Sequence, residues 1–371
     1  MFTPLALISI LSWATSVISA PQAAPTSSSK ACNNSPQLCN RNYNNITHLG
    51  AHDSAFVRDS STGFSTSGNQ FYNSTVQLSA GVRLLTGQIH SVTNSSGSDE
   101  WHLCHTSCAL LDAGTLSDWL AGIKTWMDSN PNEVVTVLIV NDGASNRDLD
   151  ANFRAANIVN YAYVPQTTGV PQQWPTLDTL ISSNKRLMTF VASLETAADS
   201  SAPYLMNEFE FIFENPFDVT AASNFSCTAD RPSSVKGQTS KAIQSNMMPL
   251  MNHFLDQEEA FGIEIPNVDR ISITNGAANG TGNLGDTAAQ CAATYGKAPT
   301  FVLVDFFNVG PAIKTIDKLN GVVSPAGRAP VSSSTIEAFV SSATNRGSGL
   351  GGSLVGLWTL TVFVAAFVAR L

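Results

Sequence analysis

Histidines and carboxylates stand where several predicted strands of this chain end. These polar side chains are His52, Asp53, Gln88, His90, His105, Asp142 and Asp305. One histidine can take a proton from a nucleophile while another gives a proton to a leaving group. A carboxylate beside a histidine orients the ring and stabilises its charged form. The sequence therefore predicts general acid–base chemistry at one end of a sheet.

Strands and helices alternate through most of the sequence. Thr115 and Asp118 form a capping box, and an apolar helix face follows over residues 116–127. A second helical stretch is predicted over 240–255. The predicted strands cover residues 46–51, 82–89, 101–105, 134–140, 186–193, 209–213 and 301–305. Residues 134–140 are an unbroken apolar run, which is typical of a strand buried on both faces of a parallel sheet.

This alternation indicates an α/β fold, either a (β/α)8 barrel or a doubly wound sheet. In a barrel of parallel strands the active site lies at the C-terminal strand ends, where the candidate residues stand. The chain has 371 residues and is 43% hydrophobic and 13% charged, so it can bury a core. Its formal charge of −9 argues against nucleic acid as a partner.

The amino terminus is typical of a secretory signal. Residues 1–20 carry no charged side chain, contain an apolar stretch and end in small residues suited to cleavage. Residues 21–31 follow as a Pro/Ser/Ala linker. We therefore expect a secreted protein.

The carboxyl terminus is typical of a GPI-anchor signal. An apolar tail over residues 354–371 carries one charge, Arg370, and follows a short polar, glycine-rich spacer and a run of small residues. A retained membrane helix is the alternative. We expect a Ser/Ala-rich stalk over 326–342, a removed segment over 343–371 and a product held at the cell surface or wall. The candidate attachment residues are Ser341, Ser342 and Asn345.

In a secreted chain the six cysteines are expected to form disulfides. Six cysteines can pair in many ways, and loop closure favours the two short-range pairs. The favoured pairs are Cys32–Cys39 and Cys104–Cys108, which leave Cys227–Cys291. A zinc cluster of His102, Cys104, His105 and Cys108 is disfavoured because thiols are oxidised outside the cell.

Six N-x-S/T triplets predict glycosylation at surface positions. They begin at Asn33, Asn45, Asn73, Asn94, Asn224 and Asn279.

Other catalytic and nucleotide-binding motifs give no support to a different function. G-x-S-x-G and H-E-x-x-H are missing from the sequence. Residues 280–285 match G-x-G-x-x-G, but the predicted strand before them is several residues away, which disfavours dinucleotide binding.

Four segments of the sequence resemble the X domain of phosphatidylinositol-specific phospholipase C. THLGAHDS over residues 47–54 resembles its first strand motif, and GVRLL over 81–85 resembles its second strand. LCH over 103–105 resembles the position of its second histidine, and NPNEVV over 130–135 the helix-to-strand step that follows. Over residues 32–320 the chain is similar to secreted, GPI-anchored fungal members of the PLC-like phosphodiesterase superfamily, and we expect the barrel domain to span residues 32–325.

The resemblance implies a distorted TIM barrel and a phosphoric diester hydrolase that acts on phosphoinositide or a related lipid. It implies that His52 is the general base, that His105 is the general acid and that Asp305 orients His52. Asp53 follows His52 as in the metal-independent bacterial enzymes. No metal or other cofactor is expected, and we expect a monomer.

The second strand departs from the family pattern. Arg83 and Gln88 are the candidate substrate-binding residues there, but Gln88 stands where bacterial relatives carry an arginine that clamps phosphate. Thr86 and Gln88 stand where calcium-dependent relatives carry acids, and a hard cation prefers carboxylate oxygens. Two alternatives therefore stay open. One is a catalytically weakened barrel that binds a lipid headgroup or a wall glycan, and the other is a magnesium-dependent phosphodiesterase.

Overall fold

The structure, a computed structural model, describes residues 30–167, 169–194, 202–259 and 262–337. The strands are β1 (His48–Ala51), β2 (Leu84–Thr93), β3 (Asp99–Cys104), β4 (Asp112–Thr115), β5 (Val135–Asn141), β6 (Leu187–Ala192), β7 (Leu205–Asn207), β8 (Ile212–Glu214), β9 (Met248–Asn252), β10 (Asp256–Glu258), β11 (Glu264–Pro266) and β12 (Phe301–Val304). The helices are α1 (Ser74–Ala80), α2 (Leu116–Ser129), α3 (Asn146–Ala155), α4 (Leu177–Ser182), α5 (Glu208–Phe211), α6 (Thr239–Gln244), α7 (Ile271–Thr274), α8 (Leu284–Tyr295) and α9 (Ala312–Asn320).

Eight parallel strands follow one another in the sheet in the same order as in the chain. The spatial order is β7-β6-β5-β2-β1-β12-β9-β8, and the last strand, β12, pairs with the first, β1. Within the described residues no ladder joins β7 to β8, which are separated only by the helical turn α5. The predicted α/β class and distorted TIM barrel are confirmed, with an open seam between β7 and β8.

Alternation along the strands divides the core into two layers. One layer fills the barrel with side chains such as Leu138, Phe190 and Phe301. The other packs the outer strand faces against helices, with Val137 and Ile139 beside the apolar face of α2. A parallel strand buried on both faces needs an unbroken apolar run, which is why residues 134–140 predicted β5 correctly.

Two predicted elements are wrong. Residues 209–213, expected as one strand, form most of α5 and the start of β8, and the side chain of Asn207 caps that helix by accepting from the Phe209 N–H. The helix expected over 240–255 ends with α6 at Gln244, and β9 follows within the same stretch. The apolar residues of β9 are buried on both faces between β8 and β12, so helical spacing was a misleading signal.

The segment after α9 packs on the barrel over the part that the structure describes, residues 326–337. Arg328 forms a two-pronged ion pair with Asp317, with nitrogen–oxygen distances of 2.7 Å. Val331 and Ile336 pack against core clusters. The expected stalk is therefore wrong for these residues. The predicted signal at 1–20, most of the linker at 21–31 and the candidate attachment residues Ser341, Ser342 and Asn345 lie outside the described residues.

The three expected disulfides are present, namely Cys32–Cys39, Cys104–Cys108 and Cys227–Cys291. Cys104 and Cys108 are joined in the second of them, so they are not the thiolate ligands of the zinc cluster considered with His102 and His105. Among the described helices, none has the length and apolar character needed to cross a membrane.

Most asparagines that begin the predicted sequons are exposed or partly exposed, but Asn33 is buried at 5% exposure. Its side-chain oxygen accepts a hydrogen bond from the Val134 N–H, and its amide nitrogen is enclosed. The expectation of a surface position is therefore wrong for Asn33, because its side chain is part of the packing at the amino end of β5.

Candidate active site

The C-terminal ends of the barrel strands, here called the barrel mouth, bring His52 and Asp305 together. His52 follows β1 and Asp305 follows β12, and the parallel ladder between these strands sets their side chains next to each other. The Asp305 Oδ1 atom lies 2.9 Å from Nδ1 of His52. Gln70 ties the two strand ends together, since its side-chain amide donates to the carbonyls of His52 and Val304.

Asp53 lies between two imidazoles. Its Oδ2 atom is 3.7 Å from Nε2 of His52 and 3.5 Å from Nε2 of His105. The Asp53 side chain is almost fully buried, and its backbone N–H donates to Oγ1 of Thr86 at 2.8 Å. The Nε2 atoms of both histidines therefore point toward one carboxylate oxygen.

His105 comes from the loop between β3 and β4. The Cys104–Cys108 disulfide closes this loop around it, and the His105 N–H donates to the Leu111 carbonyl at 3.0 Å. Gln88 on β2 joins the loop to the rest of the site. Its side-chain oxygen accepts from the Thr106 N–H at 3.0 Å, and its nitrogen donates to Asp53 at 3.3 Å.

Each of these strand ends turns sharply. Three residues here have positive φ, namely Asp53 at 45°, Thr106 at 58° and Phe306 at 41°. Asp53 is part of the site, and Thr106 and Phe306 directly follow His105 and Asp305. Such backbone costs on the order of 1 kcal/mol at a residue other than glycine and clusters at functional sites. In each case the residue just before the turn, His52, His105 or Asp305, carries a side chain of the site.

Burial and charge move the pKa values of the two histidines in opposite directions. Burial lowers the pKa of His52, but the carboxylates of Asp53, Asp305 and Asp256 outweigh it and raise that pKa to about 9. Burial lowers the pKa of His105 below its ordinary value, and Asp53 offsets this only in part. Burial and the nearby Asp305 raise the pKa of Asp256 to about 7. At neutral pH these shifts favour a charged His52 and a neutral His105 in the free protein.

Comparison with known proteins shows the family. The family model described as PI-PLC X 1 matches residues 38–320. A PI-PLC X domain-containing protein 1 from Arthroderma benhamiae is 39% identical over 81% of this chain and 92% of its own. The chain belongs to the PI-PLC X domain family.

Two further proteins are similar to this chain. An uncharacterized secreted protein from Arthroderma benhamiae is 33% identical to this chain. The match covers 83% of this chain and 68% of that protein. A mutant phosphatidylinositol-specific phospholipase C from Staphylococcus aureus is 13% identical, with a TM-score of 0.47. That match covers 78% of this chain and 98% of the other.

Arg83 and His90, two candidate residues on or next to β2, lie apart from the pair of imidazoles in this PI-PLC X domain. Arg83 lies at the opposite, amino-terminal end of β2, where Nε and Nη2 donate to Glu133 at 2.9 and 2.5 Å. It is buried in a structural ion pair and is not a substrate-binding residue of the mouth. His90 lies farther along β2 and pairs with Asp142 at 2.8 Å rather than with His52 or His105.

Sequence reasoning missed three residues of the site in this PI-PLC X domain. Asn69 donates to Asp305 at 3.2 Å, and Asp256 lies on the β10–β11 hairpin near His52. Phe254 stacks on the His52 ring with centroids 3.6 Å apart. None of them carries a local signal, because Asn69 lies in a loop and Phe254 lies in a stretch expected to be helical.

The assembled groups can bind and move protons at two imidazole nitrogens. Within residues 30–337, apart from the undescribed gaps, no group of three or more histidine, cysteine or acidic side chains is arranged to hold a metal ion. Thr86, at a position where calcium-dependent relatives carry an acid, uses its hydroxyl to accept from the backbone of Asp53. The two imidazoles and the carboxylates beside them can supply general acid–base catalysis.

Proposed function

We propose that this protein is a phosphoric diester hydrolase that cleaves a phosphoinositide or a related phosphodiester lipid without a metal ion. The observation that carries the proposal is the pair of imidazoles whose Nε2 atoms both approach Asp53 Oδ2, with Asp305 behind one of them. The match to the relative named PI-PLC X domain-containing protein 1 covers 92% of that relative, and its name supports the same reaction class.

In the proposed reaction a hydroxyl of the headgroup attacks the neighbouring phosphorus. His52 Nε2 accepts the hydroxyl proton, and Asp305 stabilises the imidazolium that forms. The bond from phosphorus to the ring oxygen forms, and the bond to the diacylglycerol oxygen breaks. His105 gives its proton to that leaving oxygen, so the products are a cyclic phosphodiester and a neutral alcohol.

The charges of the free site favour exchanged roles as a second candidate. His52 is charged at neutral pH because its pKa is raised to about 9, whereas burial lowers the pKa of His105. A charged imidazole can donate and a neutral one can accept. The same two histidines would then work with His105 as base and His52 as acid.

A leaving group that needs no proton separates these assignments. With p-nitrophenolate as the leaving group, the variant that lacks the acid keeps much of its activity, and the variant that lacks the base does not. We expect His105→Ala to lose far less activity than His52→Ala on a p-nitrophenyl ester of inositol phosphate. The reverse order would show that the roles are exchanged.

The uncharged Gln88 favours a different second function, a barrel that binds a headgroup or wall glycan without cleaving it. A missing donor at the reacting charge can cost roughly 100- to 1000-fold in rate. Asp53, Asp305 and Asp256 make the mouth acidic, which favours a headgroup without additional phosphates.

The direct test compares turnover with and without the histidines. The secreted chain, residues 21–342, is assayed with phosphatidylinositol and bis(p-nitrophenyl) phosphate in the presence of EDTA. We expect activity on phosphatidylinositol that falls by about 100- to 10,000-fold in His52→Ala and in His105→Ala. Inositol phosphate binding that survives in the double variant, with no product from either protein, would favour the binding function. Activity that EDTA removes would favour the magnesium-dependent alternative.

We also propose that the protein is secreted and held at the cell surface by a GPI anchor. The end segments 1–20 and 343–371 support this, as does the name of the relative called a secreted protein. When a chain without residues 343–371 is expressed in yeast, we expect it in the medium, whereas the full chain stays with the cells. A truncated chain that remains with the cells would contradict the anchor.

A further inference from the structure

One aromatic ring covers a full face of the His52 imidazole. The Phe254 and His52 ring centroids are 3.6 Å apart, and the two ring planes differ by 2°. His105 also contacts a phenylalanine, Phe56, but at 5.2 Å and an angle of 83°. Of these two site histidines, His52 therefore has the parallel stack, the kind of contact that restrains the plane of a ring.

Phe254 is itself held rigidly. It is buried at 3% exposure, and it follows β9 in a segment whose backbone is bonded on both sides. The His253 N–H donates to the Leu303 carbonyl at 2.9 Å, and the Leu255 carbonyl accepts from the Asn267 N–H at 2.8 Å. The phenyl ring is consequently a fixed surface against which the imidazole rests.

We propose that Phe254 is a positioning residue for His52: its ring fixes the imidazole plane so that Nε2 points toward Asp53 and the barrel mouth, and its π face stabilises the imidazolium. This inference rests on the proposed function of His52 as a proton carrier. The protein would then use the stack to set both the direction of proton transfer and the charge of the ring.

Two contacts at right angles give the ring a single orientation. Asp305 bonds to Nδ1 at the ring edge, and this bond alone allows the imidazole to tilt about the line between the two groups. Contact with the face of Phe254 removes that tilt. Nε2, which lies 3.7 Å from Asp53, is left as the nitrogen that faces the mouth.

The aromatic face also favours the charged ring. A cation over a phenyl ring is attracted by the negative face of the π system. Asp53, Asp305 and Asp256 act on the same imidazole from its other sides. Replacement of Phe254 by leucine keeps the burial but removes the π face, so the variant separates this attraction from the effect of desolvation.

The test is an NMR titration of the His52 ring in the secreted protein without substrate, with the resonance assigned by its loss in His52→Ala. We expect Phe254→Leu to lower the pKa of His52 by roughly 0.5 to 1 unit. We expect Phe254→Tyr to keep the pKa. Phe213→Leu, which removes a buried ring from the outer layer of the barrel, is the matched control and leaves the pKa unchanged.

Kinetics give a second readout. Phe254→Leu should lower kcat by about tenfold while KM stays unchanged, and Phe254→Tyr should restore it. A folded Phe254→Leu protein with the His52 pKa and kcat of the Phe213→Leu control would overturn the proposal. If Phe254→Leu does not fold, trifluorophenylalanine at position 254 keeps the shape and weakens the π face, with the same expected fall in pKa. The titration needs no turnover, so its result is separate from that of the enzyme assay.

Discussion

The carboxylate of Asp305 bonds to the imidazole of His52 at 2.9 Å, although the two residues are 253 positions apart in the chain. They follow the last and the first strands of the barrel, which pair in register from His48 with Phe301 to Ala51 with Val304. The hydrogen-bonded ladder between β1 and β12 therefore also brings His52 and Asp305 together. Changes that weaken the ladder are expected to reduce activity as well as stability.

Replacement of Asp305 by asparagine keeps its shape and removes its charge. We expect kcat to fall by roughly 100-fold, since the imidazolium formed at His52 loses its counter-charge. The pKa of His52 falls as well, because Asp305 is one of the carboxylates that raise it. Asp317→Asn is the control, since Asp317 pairs with Arg328 and not with the site. Full activity in Asp305→Asn would exclude the pair from the mechanism.

The raised pKa of His52 predicts the pH dependence of the reaction. A base must be neutral, so on a p-nitrophenyl ester, whose leaving group needs no general acid, kcat/KM should rise with pH to a midpoint near pH 9 and level off above it. Asp256→Asn removes one of the carboxylates that raise this pKa and should move the rise to lower pH. Glu259→Gln changes an exposed acid in the same hairpin segment and should leave the profile unchanged. A wild-type profile that rises with a midpoint near 6.5 would be evidence against His52 as the base.

Gln88 is the position at which a cation is expected to have the largest effect. Gln88→Arg should raise kcat/KM for a phosphodiester by about tenfold or more, because a guanidinium would meet the charge that develops at phosphorus. Gln88→Ala should lower it, since Asp53 and the Thr106 N–H lose a partner. Steady-state kinetics of the two variants test this. A loss of activity in Gln88→Arg would mean that the new charge pairs with Asp53 instead.

The Cys104–Cys108 disulfide should matter more for rate than for folding. It closes a loop of separation 4 around His105, and such a short loop stabilises the fold by only about 2 kcal/mol. We expect the double serine variant to have a lower kcat and a melting temperature only a few degrees lower. The double serine variant of Cys32 and Cys39, a pair of separation 7 away from the mouth, should keep kcat. Equal kcat losses in both would contradict a local role.

The buried Asn33 should carry no glycan. Its amide nitrogen, the atom that would be modified, is enclosed, and its oxygen accepts from the Val134 N–H at 2.7 Å. Asn33→Gln should lower the melting temperature without changing the glycan mass, whereas Asn45→Gln should remove one glycan. Intact-mass measurement before and after deglycosylation checks both. A mass lowered by one glycan in Asn33→Gln would show that the segment is exposed when it is modified.

The parts of the site that follow strands were predictable, and the parts that support them were not. His52 and Asp305 end apolar segments of strand character, and a parallel barrel gathers such ends at one mouth. Arg83 was misassigned because it precedes β2, and a residue before a strand lies at the opposite end from a residue after it. Proximity in sequence to a motif therefore did not mean proximity to the site.

Phe254 and Asn69 reach His52 and Asp305 only through the tertiary fold. The helix expected over 240–255 hid β9, since a short apolar run fits a buried helix as well as a buried strand. Asn69 lies in a loop in which no periodic pattern exists. For such residues the decisive information is which strands become neighbours, and that is fixed by the whole barrel.

The open seam leaves the edges of β7 and β8, and the edge of β8 is partly covered because Glu214 pairs with Arg231. Exposed edges can recruit strands from other molecules. β7 and β8 are three residues long each, and the chain between them is wound into a helical turn. An edge of that length offers too few backbone groups to hold an incoming strand. The barrel can thus remain unclosed without offering a long strand edge to another molecule.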